Sequence, residues 1–96
     1  MKTFELEFLD AASREWAKLA PTIRSQFKKK LEERLRNPHV SSARLHGMRD
    51  CYKIKLRKAG YRLVYQVEDE RVTVVVIAVG RRDRNLVYEA ASQRLL

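Results

Sequence analysis

The sequence predicts one α+β domain over residues 1–96, an antiparallel sheet with an N-terminal helical hairpin on one face, in the order βααβββα. Three observations carry that reading. Ninety-six residues suit a single domain. Apolar residues recur every three to four positions in the first third and at the end, whereas residues 51–79 alternate or run apolar. The gaps between the three central apolar stretches, Lys58-Ala59-Gly60 and Glu68-Asp69-Glu70, leave room only for hairpins.

Each element has its own warrant. Residues 3–8 set Phe4, Leu6 and Phe8 against Thr3, Glu5 and Glu7, the period of a strand with one buried face. Asp10 is placed to cap a helix marked by Ala12, Trp16 and Leu19. Pro21 breaks that helix or opens the next, in which Ile23, Phe27, Leu31 and Leu35 step by four until Asn37-Pro38. Two helices so closely joined form an antiparallel hairpin. Residues 38–50 lose all period and read as a loop holding His39, His46 and Gly47. Strands are expected over 51–57, 61–67 and 71–79. The last is nearly continuous in Val72, Val74, Val75, Val76 and Ile77, as a central strand covered on both faces would be. Gly80 ends it, and Asp83 is placed to cap a final helix striped by Leu86, Val87, Ala90, Ala91 and Leu95.

Charge narrows the function. Twenty-one Lys and Arg against twelve Asp and Glu give a formal net charge of +9, which points to a polyanion and most simply to nucleic acid. An apolar share of 45% sets the chain apart from a disordered polycation. The lone Cys51 forms no internal disulfide and lacks the spaced partners of structural zinc, so it is expected to be a buried small hydrophobe; no metal or cofactor is expected. No apolar run approaches the ~20 residues that span a bilayer, and Met1-Lys2-Thr3-Phe4-Glu5 lacks a signal-peptide core. A cytoplasmic protein without membrane contact is the expectation.

The most informative stretch is residues 51–57. Tyr52, Ile54 and Leu56 lie on one face, and Lys53, Lys55 and Arg57 on the other. A four-residue loop, 57–60, matches the apolar faces of the two strands; it pairs Leu56 with Tyr61, Ile54 with Leu63 and Tyr52 with Tyr65. Lys55 then falls opposite Arg62, and Lys53 opposite Val64. Like charges facing each other destabilise a sheet, so a chain that keeps them is expected to bind an anion there. Arg81, Arg82 and Arg84 crowd the following strand-to-helix junction, and Tyr88 lies four residues past Arg84, at the margin of the apolar stripe. Arg44 and His46 sit in the loop just before the cationic strand, within reach of the same ground. Lys28-Lys29-Lys30 reads as the solvated face of the second helix, and His39 as a surface residue.

These residues make the chain resemble the RelE family of toxin–antitoxin ribonucleases over nearly its whole length. The resemblance rests on Glu15-Trp16-x-Lys18-Leu19, Lys28-Lys29-Lys30-Leu31, the block from Asp50 to Arg57, Gly60 to Val67, Val79-Gly80-Arg81-Arg82 and Val87-Tyr88. It implies a toxin that enters the ribosomal A site and cleaves mRNA. A RelB-like antitoxin is implied as partner, with operator DNA contacted only through that antitoxin. The family's active positions fall on Lys53, Lys55, Arg62, Arg82 and Tyr88, with Arg44, His46, Arg57, Arg81 and Arg84 as further RNA contacts. The family has arginine in its Leu-Arg-Gly-Met loop where this chain has His46, so either Arg44 substitutes or His46 takes part itself. RNA brings its own nucleophile, the 2′-hydroxyl, so the protein needs a base, an acid for the leaving 5′-oxygen and cations for the charge on phosphorus. The roles implied are Tyr88 as base, Arg62 as phosphate clamp, and Lys55 or Arg82 as acid or electrostatic stabiliser. Lys55 is preferred as acid because arginine releases protons poorly near pH 7. An isolated tyrosine, pKa ~10, is a poor base at that pH, and only surrounding cations would improve it. Two other readings stay open: a ParE-like toxin that poisons DNA gyrase by protein contact, and a non-catalytic RNA-binding module that would need the basic patch but not Tyr88.

Overall fold

A computed structural model describes residues 3–96; Met1 and Lys2, the start of the segment read for a signal peptide, lie outside the described residues. The order is as predicted: β1 (Glu5–Phe8), α1 (Asp10–Ala17), α2 (Pro21–Arg36), β2 (Cys51–Leu56), β3 (Tyr61–Glu68), β4 (Thr73–Arg81) and α3 (Leu86–Arg94). In the sheet the strands lie β1-β4-β3-β2. The meander β2-β3-β4 is antiparallel, while β1 adds a parallel edge, with Glu5 opposite Thr73 and Phe8 opposite Val76. That edge makes β4 an inner strand, which is why Thr73 to Val79 are all buried and read as a continuous apolar run. Among the described residues no helix is long and apolar enough to cross a membrane.

Local chemistry moves several boundaries. The last strand starts and ends two residues later than its apolar run suggests. Asp69–Arg71 form a tight helical turn, and Val72 follows at φ +49, outside the ladder. Gly80 does not end the strand; it pairs with Arg62, and pairing continues to Arg81 opposite Tyr61. Neither expected aspartate cap forms. Asp10 already lies in the first turn of α1, behind an extended Leu9. Asp83 opens a short turn, Asp83–Asn85, in which Arg84 and Asn85, at φ +50 and +61, break the helical backbone ahead of α3.

Both faces of the sheet are covered. Against α1 and α2 lie Tyr52, Ile54, Leu63, Tyr65, Val74 and Val76, packed on Ala12, Leu19, Phe27 and Leu31. On the other face Cys51, Val64, Val75, Ile77 and Ala78 meet Val87 and Ala91 of α3. The ladder slips once. Tyr65 faces Val76 but Val64 faces Ala78, so Ile77 is an extra residue, a bulge in β4. Past it the alternation is reset: Val79 joins the hairpin-side core and Gly80 comes under α3, where a Cβ would stand 3.4 Å from Val87 Cγ2. From the hairpin side, Arg34 of α2 donates to the Lys53 carbonyl at 3.1 Å and to the buried Tyr65 hydroxyl at 2.9 Å. That hydroxyl in turn donates to the Pro38 carbonyl at 2.8 Å, so the cationic strand is backed by a hydrogen-bonded network. His39 is at the surface as expected, its ring nitrogens within hydrogen-bond reach of Tyr52 and Asp69.

Candidate active site

The β2–β3 turn sets the site. Residues 57–60 close with the Gly60 N–H donating to the Leu56 carbonyl at 2.8 Å. The register is the one that matches the apolar faces: Leu56 opposite Tyr61, Ile54 opposite Leu63, Tyr52 opposite Tyr65. Lys55 therefore faces Arg62, and Lys53 faces Val64. Gly60 has φ +73, a conformation open to glycine and strained for other residues. It also seats Arg82: the Arg82 N–H donates to the Gly60 carbonyl at 2.9 Å, and Arg82 Nε passes 3.6 Å from where a Cβ on Gly60 would stand.

The other wall comes from α3. Val87 and Ala91 turn into the core, which leaves Tyr88 half-buried at its rim. Lys55, Arg62, Arg82 and Tyr88, with Asn85 and Val87, line one cavity of about 150 Å³. Four of the five residues expected to be catalytic thus converge from three elements and a junction. Lys53 is on the same strand face as Lys55 but does not line the cavity. Of the expected RNA contacts, Arg57 lines an adjoining hollow with Gln26, Lys30, Lys55 and Lys58. Arg44 and His46 line a different hollow, with Leu45, Gly47, Met48 and Arg49, so His46 is not gathered into the cavity. Arg81 lays its guanidinium over the Tyr61 ring, 5.5 Å from the centroid, and Arg84 is exposed. Sequence reasoning did not place Asn85 at the cavity, and it read Lys30 as solvated helix surface. Asn tolerates the left-handed backbone of a junction, a signal available in the sequence. Lys30 gave none, because its closeness to Lys55 is tertiary.

The electrostatics are one-sided. Ion pairs among the described residues join His39 to Asp69, Arg49 to Asp50, Arg71 to Glu7 and Glu68, and Arg94 to Glu15; none engages Lys53, Lys55, Arg62 or Arg82. The Lys53 ammonium above all, then partial desolvation and the guanidiniums of Arg62 and Arg57, push Lys55 below the ordinary lysine range. A lysine so placed gives up its proton more readily than a free one. Burial, with a smaller push from Asp50, raises the Cys51 thiol to about 11, so this cysteine is inert packing, as expected. A small hollow with three unpaired cations, a phenol and no carboxylate in its lining suits a phosphodiester whose charge grows during reaction.

Known proteins resemble the chain along most of its length. The profile of a family described as "ParE toxin of type II toxin-antitoxin system, parDE" matches residues 6–86, stopping two residues before Tyr88. The mRNA interferase toxin RelE of Escherichia coli K12 is 56% identical over 91 residues, covering 95% of this chain and 96% of that protein. A mutant of E. coli RelE solved in the free state superposes with a TM-score of 0.91 at 52% identity, covering 99% of this chain and all of that one. The intact E. coli RelBE toxin–antitoxin complex matches with a TM-score of 0.82 and 56% identity, covering 84% of this chain and 99% of that one.

Proposed function

The chain belongs to the RelE/ParE family of type II toxin–antitoxin toxins, and from that premise we propose that it is a ribosome-dependent endoribonuclease, a toxin that cuts mRNA in the A site and so inhibits translation. The observation that carries the reading is the single cavity shared by Lys55, Arg62, Arg82 and Tyr88. The 2′-hydroxyl of the message attacks the adjacent phosphorus while its proton passes to Tyr88 in its phenolate form, which becomes the neutral phenol. The bond from phosphorus to the 5′-oxygen breaks, and that oxygen takes a proton from the Lys55 ammonium. The products are a 2′,3′-cyclic phosphate and a 5′-hydroxyl end. Arg62 and Arg82 hold the non-bridging oxygens as their charge grows. Lys53 and the Arg57–Lys30 hollow extend the positive ground along the strand face.

The protein acts in the cytoplasm, without membrane contact. Its partner is a RelB-like antitoxin, a reading supported by the likeness to the toxin chain of the RelBE complex, and operator DNA is reached only through that antitoxin. A chain of +9 charge draws an acidic partner in from a distance. The competing gyrase-poison reading shares the fold, but needs neither the cavity nor Tyr88. Primer extension on message in a translating extract, with and without the protein, separates the two. Discrete cuts inside codons are expected; intact message with arrested replication would overturn the nuclease reading.

A further inference from the structure

The two ends of α3 are held in different ways. At its start, Arg84 and Asn85 stand in the left-handed region, which side chains rarely adopt. Along the helix only Val87 and Ala91 are buried, and Leu86 is 55% exposed. A nine-residue helix with so little apolar anchorage is marginal in water and depends on tertiary contacts.

The contact at its far end is polar. Arg94 donates to both carboxylate oxygens of Glu15 on α1, at 2.8 and 2.9 Å, and to the Ile77 carbonyl at 2.8 Å. Glu15 also accepts the Val79 N–H at 3.2 Å. The Ile77 carbonyl belongs to the bulge and the Val79 N–H lies just past it, on the stretch of β4 that runs beyond the end of β1 and, among the described residues, has no strand beside it on that side. The pair therefore closes an open strand edge and joins α1, β4 and α3 at one point. Burial is the largest single influence on the Glu15 carboxyl and opposes its charge. The hydrogen bonds from Arg94 and Val79, then the charges of Arg94 and Lys18, outweigh it and hold the group below its usual range.

We propose that Glu15 and Arg94 are positioning residues: their bidentate pair pins the end of α3 to the sheet and thereby holds Tyr88 at the cavity. Tyr88 lies six residues before Arg94, about 9 Å back along the same helix axis. Neither member of the pair lines the cavity, so the pair acts through the helix and does not touch RNA. The inference rests on the reading of Tyr88 as the base.

The test combines hydrogen exchange with kinetics on the full-length protein. Arg94→Ala is expected to lose amide protection in residues 87–94 while β2, β3 and β4 keep theirs. Its single-turnover cleavage on ribosomes should fall roughly 10–100-fold, the scale of a misplaced reacting group. The concentration giving half-maximal rate should stay within about twofold, because the cations on the strands remain in place. Arg94→Lys, which keeps the charge but not the two-pronged grip, should fall between. In a Tyr88→Phe background Arg94→Ala should bring no further loss, because the group it positions is already gone. The proposal is overturned if Arg94→Ala keeps full α3 protection and the wild-type rate. It is equally overturned if protection falls across β3 and β4 and the losses in the double variant add, since the pair would then be general scaffolding. Should the wild type cut no message at all, the nuclease reading fails, and α3 exchange alone still decides whether the pair holds the helix.

Discussion

Replacing Tyr88 by phenylalanine removes one oxygen and keeps the ring on α3. The structure sets the two magnitudes that follow. Tyr88 shares its cavity of about 150 Å³ with Lys55, Arg62 and Arg82, so the proposed base lies within that small space of any phosphate held by those cations. Losing a general base slows reactions by ~10²–10⁴, which is about 3–5 kcal/mol of transition-state stabilisation. Stability should hardly move. The tyrosine hydroxyls bonded to protein are those of Tyr52 and Tyr65, and among the described residues Tyr88 takes part in no such bond, so its loss strands no buried partner. The change in stability should stay within the roughly ±0.5 kcal/mol of an ordinary surface change. Single-turnover primer extension on programmed ribosomes reads the rate, ribosome pelleting reads affinity, and thermal denaturation reads the fold. Affinity and Tm are expected to hold while cleavage collapses. Cleavage within about threefold of wild type would remove Tyr88 from the chemistry, and a lower Tm in step with lost activity would show a structural role instead.

Four further outcomes are expected. Tyr65→Phe is the converse case: its buried hydroxyl bonds Arg34 and Pro38, so the change should cost about 1–2 kcal/mol, or roughly 5–15 °C in Tm, and leave the per-molecule cleavage rate of the folded protein alone. With Lys55 as the acid, cleavage should fall as pH rises through the lowered Lys55 pKa, and Lys53→Ala, which removes the largest cause of that lowering, should move the falling limb to higher pH in a pH–rate profile. The Glu15 carboxyl is held below the ordinary glutamate range when folded, so it contributes stability above its unfolded value that is lost as pH falls through the folded one; acid melts should show wild type losing Tm more steeply than Glu15→Gln as pH falls below the ordinary glutamate range. Gly60→Val should strain the φ +73 turn and crowd the Arg82 side chain, lowering both Tm and cleavage, whereas Arg82→Ala should lower cleavage alone.

The sequence was most legible where one constraint had a single solution. The faces of residues 51–57 and 61–67 could be matched at one register only, and the loop of four residues, the Lys55–Arg62 rung and the Lys53–Val64 rung all follow from it. A continuous apolar run likewise identified β4 as an inner strand. Less could be read where backbone geometry is decided by tertiary contact. The slip at Ile77 leaves no mark in a run that is apolar throughout, and it shifts which residues of β4 face α3. The parallel pairing of β1 depends on where the meander ends in space. The aspartate caps failed because the preceding backbone, Leu9 in one case and the Arg84–Asn85 pair in the other, already fixes how each helix begins. In the site, residue types pointed to the cluster, but a loop residue such as His46 could be placed near it or away from it only by the fold.

The division of the site between sheet and helix has its own consequence. Lys55 and Arg62 stand on strands whose opposite face is buried against α1 and α2, so the scaffold beneath these like charges is secured by a core they do not touch. Their mutual repulsion is offset by packing on the other side, and relieving it by Lys53→Ala with Lys55→Ala has no core contact to remove. The phenol stands on a short helix of which only Val87 and Ala91 are buried. On the proposed nuclease reading, phosphate affinity rests on the strands and bond cleavage on α3 as well, so local opening of α3 would abolish chemistry while the cationic face stays formed. On that reading the anionic target is held by the strand face, and cleavage is conditional on the order of one short helix.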